Sequence, residues 1–114
     1  MNRLEEVLTI LQEECAEVIV EASKIKRFGI NSVYEDSTAR EKLKKELGDL
    51  LCMMDILSEM DVFTYPELHE LAEKKREKLK TWSSVYNEEW EENNERMDII
   101  GQNGNDGLHY ESST

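Results

Sequence analysis

Proline and glycine are scarce in this sequence: one proline and five glycines among 114 residues. Both residues interrupt helices, and charged residues, which helices tolerate well, make up 35% of the chain. This composition favours an all-α fold over a sheet of short strands. Long apolar runs are also missing, since the longest, residues 50–54, is far shorter than the roughly 20 residues that span a bilayer. We therefore expect no membrane association.

Basic residues are outnumbered, with 14 Lys and Arg against 26 Asp and Glu and a net charge of −12. An excess of acid disfavours nucleic-acid binding, because phosphate backbones attract Lys and Arg. The excess is concentrated in residues 87–114, which hold eight acids and one base. We expect a folded domain over residues 1–86 and an acidic, weakly helical to disordered tail over residues 87–114.

Motifs for covalent catalysis are absent as well: there is no phosphate-binding glycine loop, nucleophile elbow or HExxH pair. Cys15 and Cys52 lie in helical patterns without CxxC spacing, which is typical of reduced thiols. The N-terminus lacks the basic start and apolar stretch of a signal peptide. These features predict a cytoplasmic protein, and a phage protein acting in its host's cytoplasm would fit equally.

An apolar stripe marks the first helix, which we expect from about residue 3 to about residue 27. Asn2 is its predicted N-cap, and Gly29 falls just past its end. Residues 28–37 are predicted to form a loop. The stripe repeats at steps of three and four and consists of Leu4, Val7, Leu8, Leu11, Cys15, Val18, Ala22 and Ile25.

Two further helix starts carry capping-box patterns: Thr38 with Glu41, and Thr64 with Glu67. The second helix has apolar residues on more than one side, which indicates a central helix or contact with a second subunit. Its main stripe is Leu43, Leu47, Leu50, Leu51, Met54 and Leu57, with Met53 and Ile56 on another side. The third stripe is Leu68, Leu71, Ala72, Lys75, Leu79 and Trp82.

Paired carboxylates three residues apart are the clearest chemical signal. Glu14 with Glu17, and Glu46 with Asp49, would each share a helix face. On two antiparallel helices the pairs could form a cage of oxygen ligands for Mg²⁺, or secondarily Mn²⁺. The same spacing recurs in the acidic tail, so an ordinary charged helix flank is the alternative interpretation.

The segments LQEECAEV (residues 11–18), SKIKRFG (23–29) and ELGDLL (46–51) resemble the MazG-like nucleotide pyrophosphohydrolases, especially the short, single-domain phage members. The likeness covers about residues 4–86. It implies an antiparallel helical bundle that completes a four-helix catalytic bundle in a homodimer or homotetramer. It also implies Mg²⁺-dependent hydrolysis of nucleoside triphosphates to monophosphate and pyrophosphate, which would control or clean the nucleotide pool.

The resemblance assigns roles to individual residues. Metal ligands and catalytic residues would be Glu14, Glu17, Glu46 and Asp49, with Glu13 or Glu21 as an outer ligand or base. Substrate contacts would come from Lys24, Arg27, Phe28, Asn31, Lys75 and Lys78. For the late lysines, cations lying along an apolar stripe are the alternative.

Two competing functions remain open. One is an enzyme of the same fold that is restricted to a single substrate, such as dUTP, dCTP or phosphoribosyl-ATP. The other is an acidic helical interaction module without catalysis, whose tail would bind a basic partner.

Overall fold

The computed structural model describes residues 1–87, and within them the all-α expectation is confirmed. Three helices and one short antiparallel hairpin follow in chain order: α1 (Arg3–Phe28), β1 (Val33–Tyr34), β2 (Ser37–Thr38), α2 (Ala39–Glu59) and α3 (Tyr65–Trp82). The predicted acidic tail lies almost wholly outside the described residues.

Each helix begins at a capping box. The sequence predicts the boxes of α2 and α3, and for α1 it predicts the N-cap. The Asn2 Oδ1 atom accepts a hydrogen bond from the Glu5 N–H at 2.8 Å, and the Glu5 carboxylate accepts one from the Asn2 N–H at 2.9 Å. These bonds satisfy backbone donors that a helix N-terminus leaves without partners. The same reciprocal bonds form between Thr38 and Glu41 and between Thr64 and Glu67.

The connection between α1 and α2 is more ordered than predicted. Residues 28–37 were expected to be a loop, but α1 extends to Phe28 and the strands β1 and β2 pair Val33 with Thr38. The hairpin turns at Glu35 and Asp36, which both have positive φ (53° and 67°). Two such residues suit a tight hairpin, for which Asn-Gly is the usual sequence signal. The expectation was wrong because strands of two residues show no alternation and Glu-Asp gives no turn signal.

Helices α1 and α2 run antiparallel and hold the small core between them. At one end Val7 packs with Met53 and Leu57, and towards the other end Glu21 and Ala39 line the same cavity. Partly buried neighbours complete the cluster: Ile10, Leu11, Ile56, Met60 and Phe63. The core therefore occupies only one side of each helix.

The predicted stripes of α1 and α2 are partly buried and partly exposed in a single chain. Leu47 and Leu51 retain 45% and 50% of their accessible surface, while Met53, which lies off the predicted stripe, retains only 7%. Leu4 and Leu8 are likewise exposed. At 100° per residue, the exposed stripe residues of α1 and α2 point to the same side of the two-helix layer. The sequence indicated two apolar sides correctly, but a layer of two helices covers only one of them.

Helix α3 buries no residue, and Leu71 and Trp82 are both mostly exposed. Its N-terminal end is attached through a hydrogen bond from the Tyr65 hydroxyl to Asp55, and through edge-to-face contact between the Phe63 and Tyr65 rings, whose centroids are 5.4 Å apart. Across residues 1–87, none of the helices is long and apolar enough to cross a membrane.

Candidate metal centre

Three carboxylates from two helices converge on one point. Glu14 comes from α1, Glu46 and Asp49 come from α2, and one oxygen of each lies within 4.8 Å of the others. The antiparallel packing that joins Val7 to Met53 brings Glu14, two turns further along α1, to the level of Glu46 and Asp49 on α2. All three residues are partly buried.

The negative charges of these carboxylates repel one another, which makes the ionised form of Glu14 less favourable. Partial burial raises the pKa of Glu14, and the nearby charges of Asp49 and Glu46 raise it further. Glu17 contributes in the same direction, and only Lys45 opposes these effects. Grouped carboxylates must take up a proton or bind a cation. Oxygen donors from carboxylates are the set that Mg²⁺ and Mn²⁺ prefer, so these residues fit such an ion.

An internal cation already contacts this cluster. The Lys45 Nζ atom lies 2.8 Å from Asp49 Oδ2 and 3.8 Å from Glu46 Oε2. The hydrogen bond to Asp49, together with the surrounding negative charge, raises the pKa of Lys45. Its side chain is 69% exposed, so it can swing into solvent when another cation arrives. Lys45 was not among the predicted site residues, although a lysine four residues before Asp49 on a helix is a signal for an ion pair.

The other predicted acidic residues lie outside the group of three. Glu17 is exposed and, within residues 1–87, does not join the converging oxygens, although it affects the pKa of Glu14. Glu13 is exposed. Glu21 is buried two turns beyond Glu14, where its Oε2 atom lies 3.7 Å from Lys24 Nζ. Thus the structure brings together three of the four predicted metal ligands.

Several predicted substrate contacts gather near the hairpin. The Arg27 guanidinium lies 5.0 Å from the centroid of the Phe28 ring, and Asn31 Oδ1 accepts a hydrogen bond from Arg40 at 3.4 Å. Lys24 lies over the ring of Tyr34. These residues occupy the end of the α1–α2 pair that lies beyond the carboxylates.

Lys75 and Lys78 are exposed on α3. Within the described part of the chain, neither forms an ion pair with Glu46 or Asp49, which both contact Lys45. The structure of one chain therefore does not bring the late lysines to the carboxylate cluster.

A small cavity beside the hairpin was not anticipated as a site. It is lined by Glu21, Lys24, Ser32, Tyr34, Ala39 and Lys42. Lys42 was not among the predicted site residues, although it precedes Glu46 by one helical turn and so lies on the same face of α2.

Comparison of the chain with models of known protein families gave no match, and neither curated proteins nor solved structures gave one.

Proposed function

We propose that this protein is a Mg²⁺-dependent nucleotide pyrophosphohydrolase, with Mn²⁺ as a substitute metal. It would hydrolyse nucleoside triphosphates between the α and β phosphates, releasing the monophosphate and pyrophosphate and so controlling or cleaning the nucleotide pool. Two things support the proposal: the resemblance of three sequence segments to MazG-like enzymes, and the chemistry of the carboxylate cluster.

The convergence of Glu14, Glu46 and Asp49 carries the argument. Spacing alone cannot distinguish a site from a charged flank, because carboxylates three residues apart are common in so acidic a chain. Carboxylates from two different helices that meet within 4.8 Å are less expected, because like charges repel. The single ammonium of Lys45 balances only part of the charge of these three carboxylates.

The side chains suit this chemistry in stated roles. A bound Mg²⁺ would neutralise phosphate charge and lower the pKa of a coordinated water. Glu14, Glu46 and Asp49 would hold the ion together with Glu17. Glu13 would take a proton from the attacking water. Lys45, released from Asp49, would be free to contact phosphate oxygens.

The predicted substrate contacts would complete the site around these carboxylates. Lys24 and Arg27 would contact phosphates from the end of α1, and Phe28 and Asn31 would border the base. Lys75 and Lys78 are part of the proposal as phosphate ligands, and they require α3 of a second copy or a closer approach of α3 in the same chain.

A second copy of the chain is also part of the proposal. The exposed stripes on α1 and α2, which include Leu8, Leu47 and Leu51, lie on one side of the two-helix layer. Docking this side against its counterpart would bury both and make a four-helix bundle, as a dimer or as half of a tetramer.

This arrangement can be tested by light scattering after size exclusion, which measures the mass of the particle in solution. We expect the wild type to be a dimer or tetramer and Leu51→Asp to be a monomer, because the substitution places a charge on the docking side. A wild-type protein that is a monomer at micromolar concentration would contradict this arrangement.

The decisive test is product analysis. The protein is incubated with ribo- and deoxyribonucleoside triphosphates and phosphoribosyl-ATP, in Mg²⁺ or in EDTA. Glu46→Ala is the test variant, and Glu59→Ala, an exposed position on the same helix, is its control. We expect the wild type to release monophosphate and pyrophosphate in Mg²⁺. This activity should disappear in EDTA and in Glu46→Ala and should persist in Glu59→Ala.

Other outcomes discriminate between the alternatives. Turnover of dUTP, dCTP or phosphoribosyl-ATP alone would mean a substrate-restricted enzyme. Diphosphate and phosphate as products would mean cleavage of a different bond. No product from any substrate would reject the enzyme and favour the interaction module. In that case, truncation to residues 1–87 should abolish binding of a basic partner, because it removes the acidic tail.

A further inference from the structure

The cavity beside the hairpin is separate from the carboxylate cluster. It lies between the second half of α1, the hairpin and the start of α2, where Ser32, Tyr34 and Ala39 form part of its wall. The volume open to the centre of a water molecule is about 10 Å³. That is just enough to admit one small polar group, such as an N–H or O–H group.

Glu21 lines this cavity, and one oxygen of its carboxylate has no hydrogen-bond donor among residues 1–87. The residue is only 7% exposed, and its Oε1 atom is buried and accepts no hydrogen bond from residues 1–87. The other oxygen, Oε2, is 3.7 Å from Lys24 Nζ, beyond hydrogen-bond length. Buried polar atoms almost always have a partner, so an exception calls for an explanation such as a missing ligand.

The charges around Glu21 restrict what that ligand can be. Lys24 Nζ and Lys42 Nζ lie 5.8 Å and 5.3 Å from the centroid of the same Tyr34 ring, and both lysines line the cavity with Glu21. Two ammonium groups disfavour a cationic ligand. A fully ionised phosphate offers acceptors only, so it cannot satisfy Oε1. What remains is a neutral N–H or O–H donor, which can belong to a water molecule or to a ligand.

We propose that Glu21 recognises the nucleoside part of the substrate by accepting a hydrogen bond from a neutral donor on its sugar or base. This inference rests on the proposed function, because the donor belongs to the nucleotide that would be cleaved at the carboxylate cluster. Glu21 follows Glu14 by seven residues, which places it about 10 Å further along the α1 axis. That separation lets one nucleotide bring its phosphates to the cluster and its nucleoside to the cavity.

The test measures equilibrium binding and does not depend on turnover. Calorimetry in Mg²⁺ compares the common ribo- and deoxyribonucleoside monophosphates with inorganic pyrophosphate, which are the proposed products and are therefore not turned over. Glu21→Met removes the acceptor, Glu21→Gln keeps an acceptor without the charge, and Glu35→Gln, exposed at the turn, is the matched control. We expect Glu21→Met to weaken the best monophosphate roughly tenfold to a hundredfold, as for a lost hydrogen bond to a charged group. Glu21→Gln should lose less monophosphate affinity than Glu21→Met. The affinity for pyrophosphate should change by less than about twofold in both variants, since pyrophosphate does not form that hydrogen bond.

Thermal unfolding gives an independent readout. If Oε1 awaits a ligand, the carboxylate is unfavourable in the free protein, and Glu21→Met should raise Tm without nucleotide. If Glu21 is purely structural, the same substitution should lower Tm. An equal loss of pyrophosphate binding would mean that Glu21 only positions Lys24, and either of these results overturns the proposal.

The inference and the proposed function fail in different ways. Nucleotide binding that depends on Glu21, without hydrolysis in any metal, would support the inference and reject the enzyme. Hydrolysis with unchanged monophosphate affinity in Glu21→Met would support the enzyme and reject the inference. Wild-type protein that binds no monophosphate more tightly than pyrophosphate would also reject the inference.

Discussion

The α1–α2 pair and α3 begin in the same way but are held very differently. All three helices start at a capping box, yet α1 and α2 share the buried cluster of Val7, Met53 and Leu57, while α3 buries nothing. A cap determines where a helix starts, whereas packing determines whether it is fixed relative to its neighbours. The carboxylates and the cavity both belong to the pair that is fixed by packing.

The sharpest test of this difference compares equivalent truncations in the two regions. Leu57→Ala removes a buried side chain of α2 and should lower the free energy of unfolding by about 2–5 kcal/mol. Leu71→Ala on exposed α3 should change it by less than about 0.5 kcal/mol. Urea unfolding followed by circular dichroism measures both. Equal losses would mean that α3 is packed as tightly as α2.

Binding of Mg²⁺ should stabilise the α1–α2 pair through its carboxylates. At a Mg²⁺ concentration ten times Kd, the gain is about 1.4 kcal/mol, seen as a rise in Tm after EDTA treatment. Glu14→Gln should reduce the rise, and Glu73→Gln on α3 should leave it intact. Lys45→Ala should enlarge it, because the competing ammonium is gone. An unchanged Tm at millimolar Mg²⁺ would contradict the metal centre.

Removing a cap should affect the two regions unequally. Thr38→Ala should destabilise the protein by about 1 kcal/mol, because the start of α2 also positions buried Ala39. Thr64→Ala should mainly increase local opening of α3, with a smaller effect on global unfolding. Amide hydrogen exchange separates local from global opening. A larger global loss for Thr64→Ala would reverse the comparison.

A smaller effect should appear in the pH dependence of stability without metal. The pKa of Glu14 is raised from its ordinary 4.5 in the folded protein, so the folded state holds this proton more tightly than the unfolded chain. Its contribution to stability is therefore complete below pH 4.5 and is lost as pH rises through the raised pKa. As pH rises through that range, the free energy of unfolding of the wild type should fall relative to that of Glu14→Gln, as measured by urea unfolding at a series of pH values. A parallel pH dependence of the two proteins would contradict the shift.

Local signals made the helices predictable, and longer-range relations did not. The starts at Asn2, Thr38 and Thr64 depend on residues three positions apart, which the sequence displays directly. The hairpin was missed because its turn at Glu35 and Asp36 lacks the usual residues. The sequence also does not predict which apolar side of α2 is buried within one chain, since an apolar side can face either the same chain or a second one.

The candidate site was only partly predictable for a related reason. Periodicity places Glu14 and Glu46 on the edges of apolar stripes, with Asp49 further round its helix. The rotation of α1 against α2 decides which of these acids meet. At 100° per residue, Glu17 is turned about 60° from Glu14 and remains outside the group. The same rotation buries Glu21, to which the family resemblance assigns only the role of an outer ligand or base.

The ten residues between α1 and α2, residues 29–38, also bear on when the site is made. A short connection closes with little loss of chain entropy, and contacts that are local in sequence form quickly. Every residue of the carboxylate cluster and the cavity lies between Glu14 and Asp49. During synthesis, which proceeds from the N-terminus, α1 and α2 can therefore dock before α3 leaves the ribosome. The chemistry of this chain would be assembled in its first half, and α3 would join a site already formed.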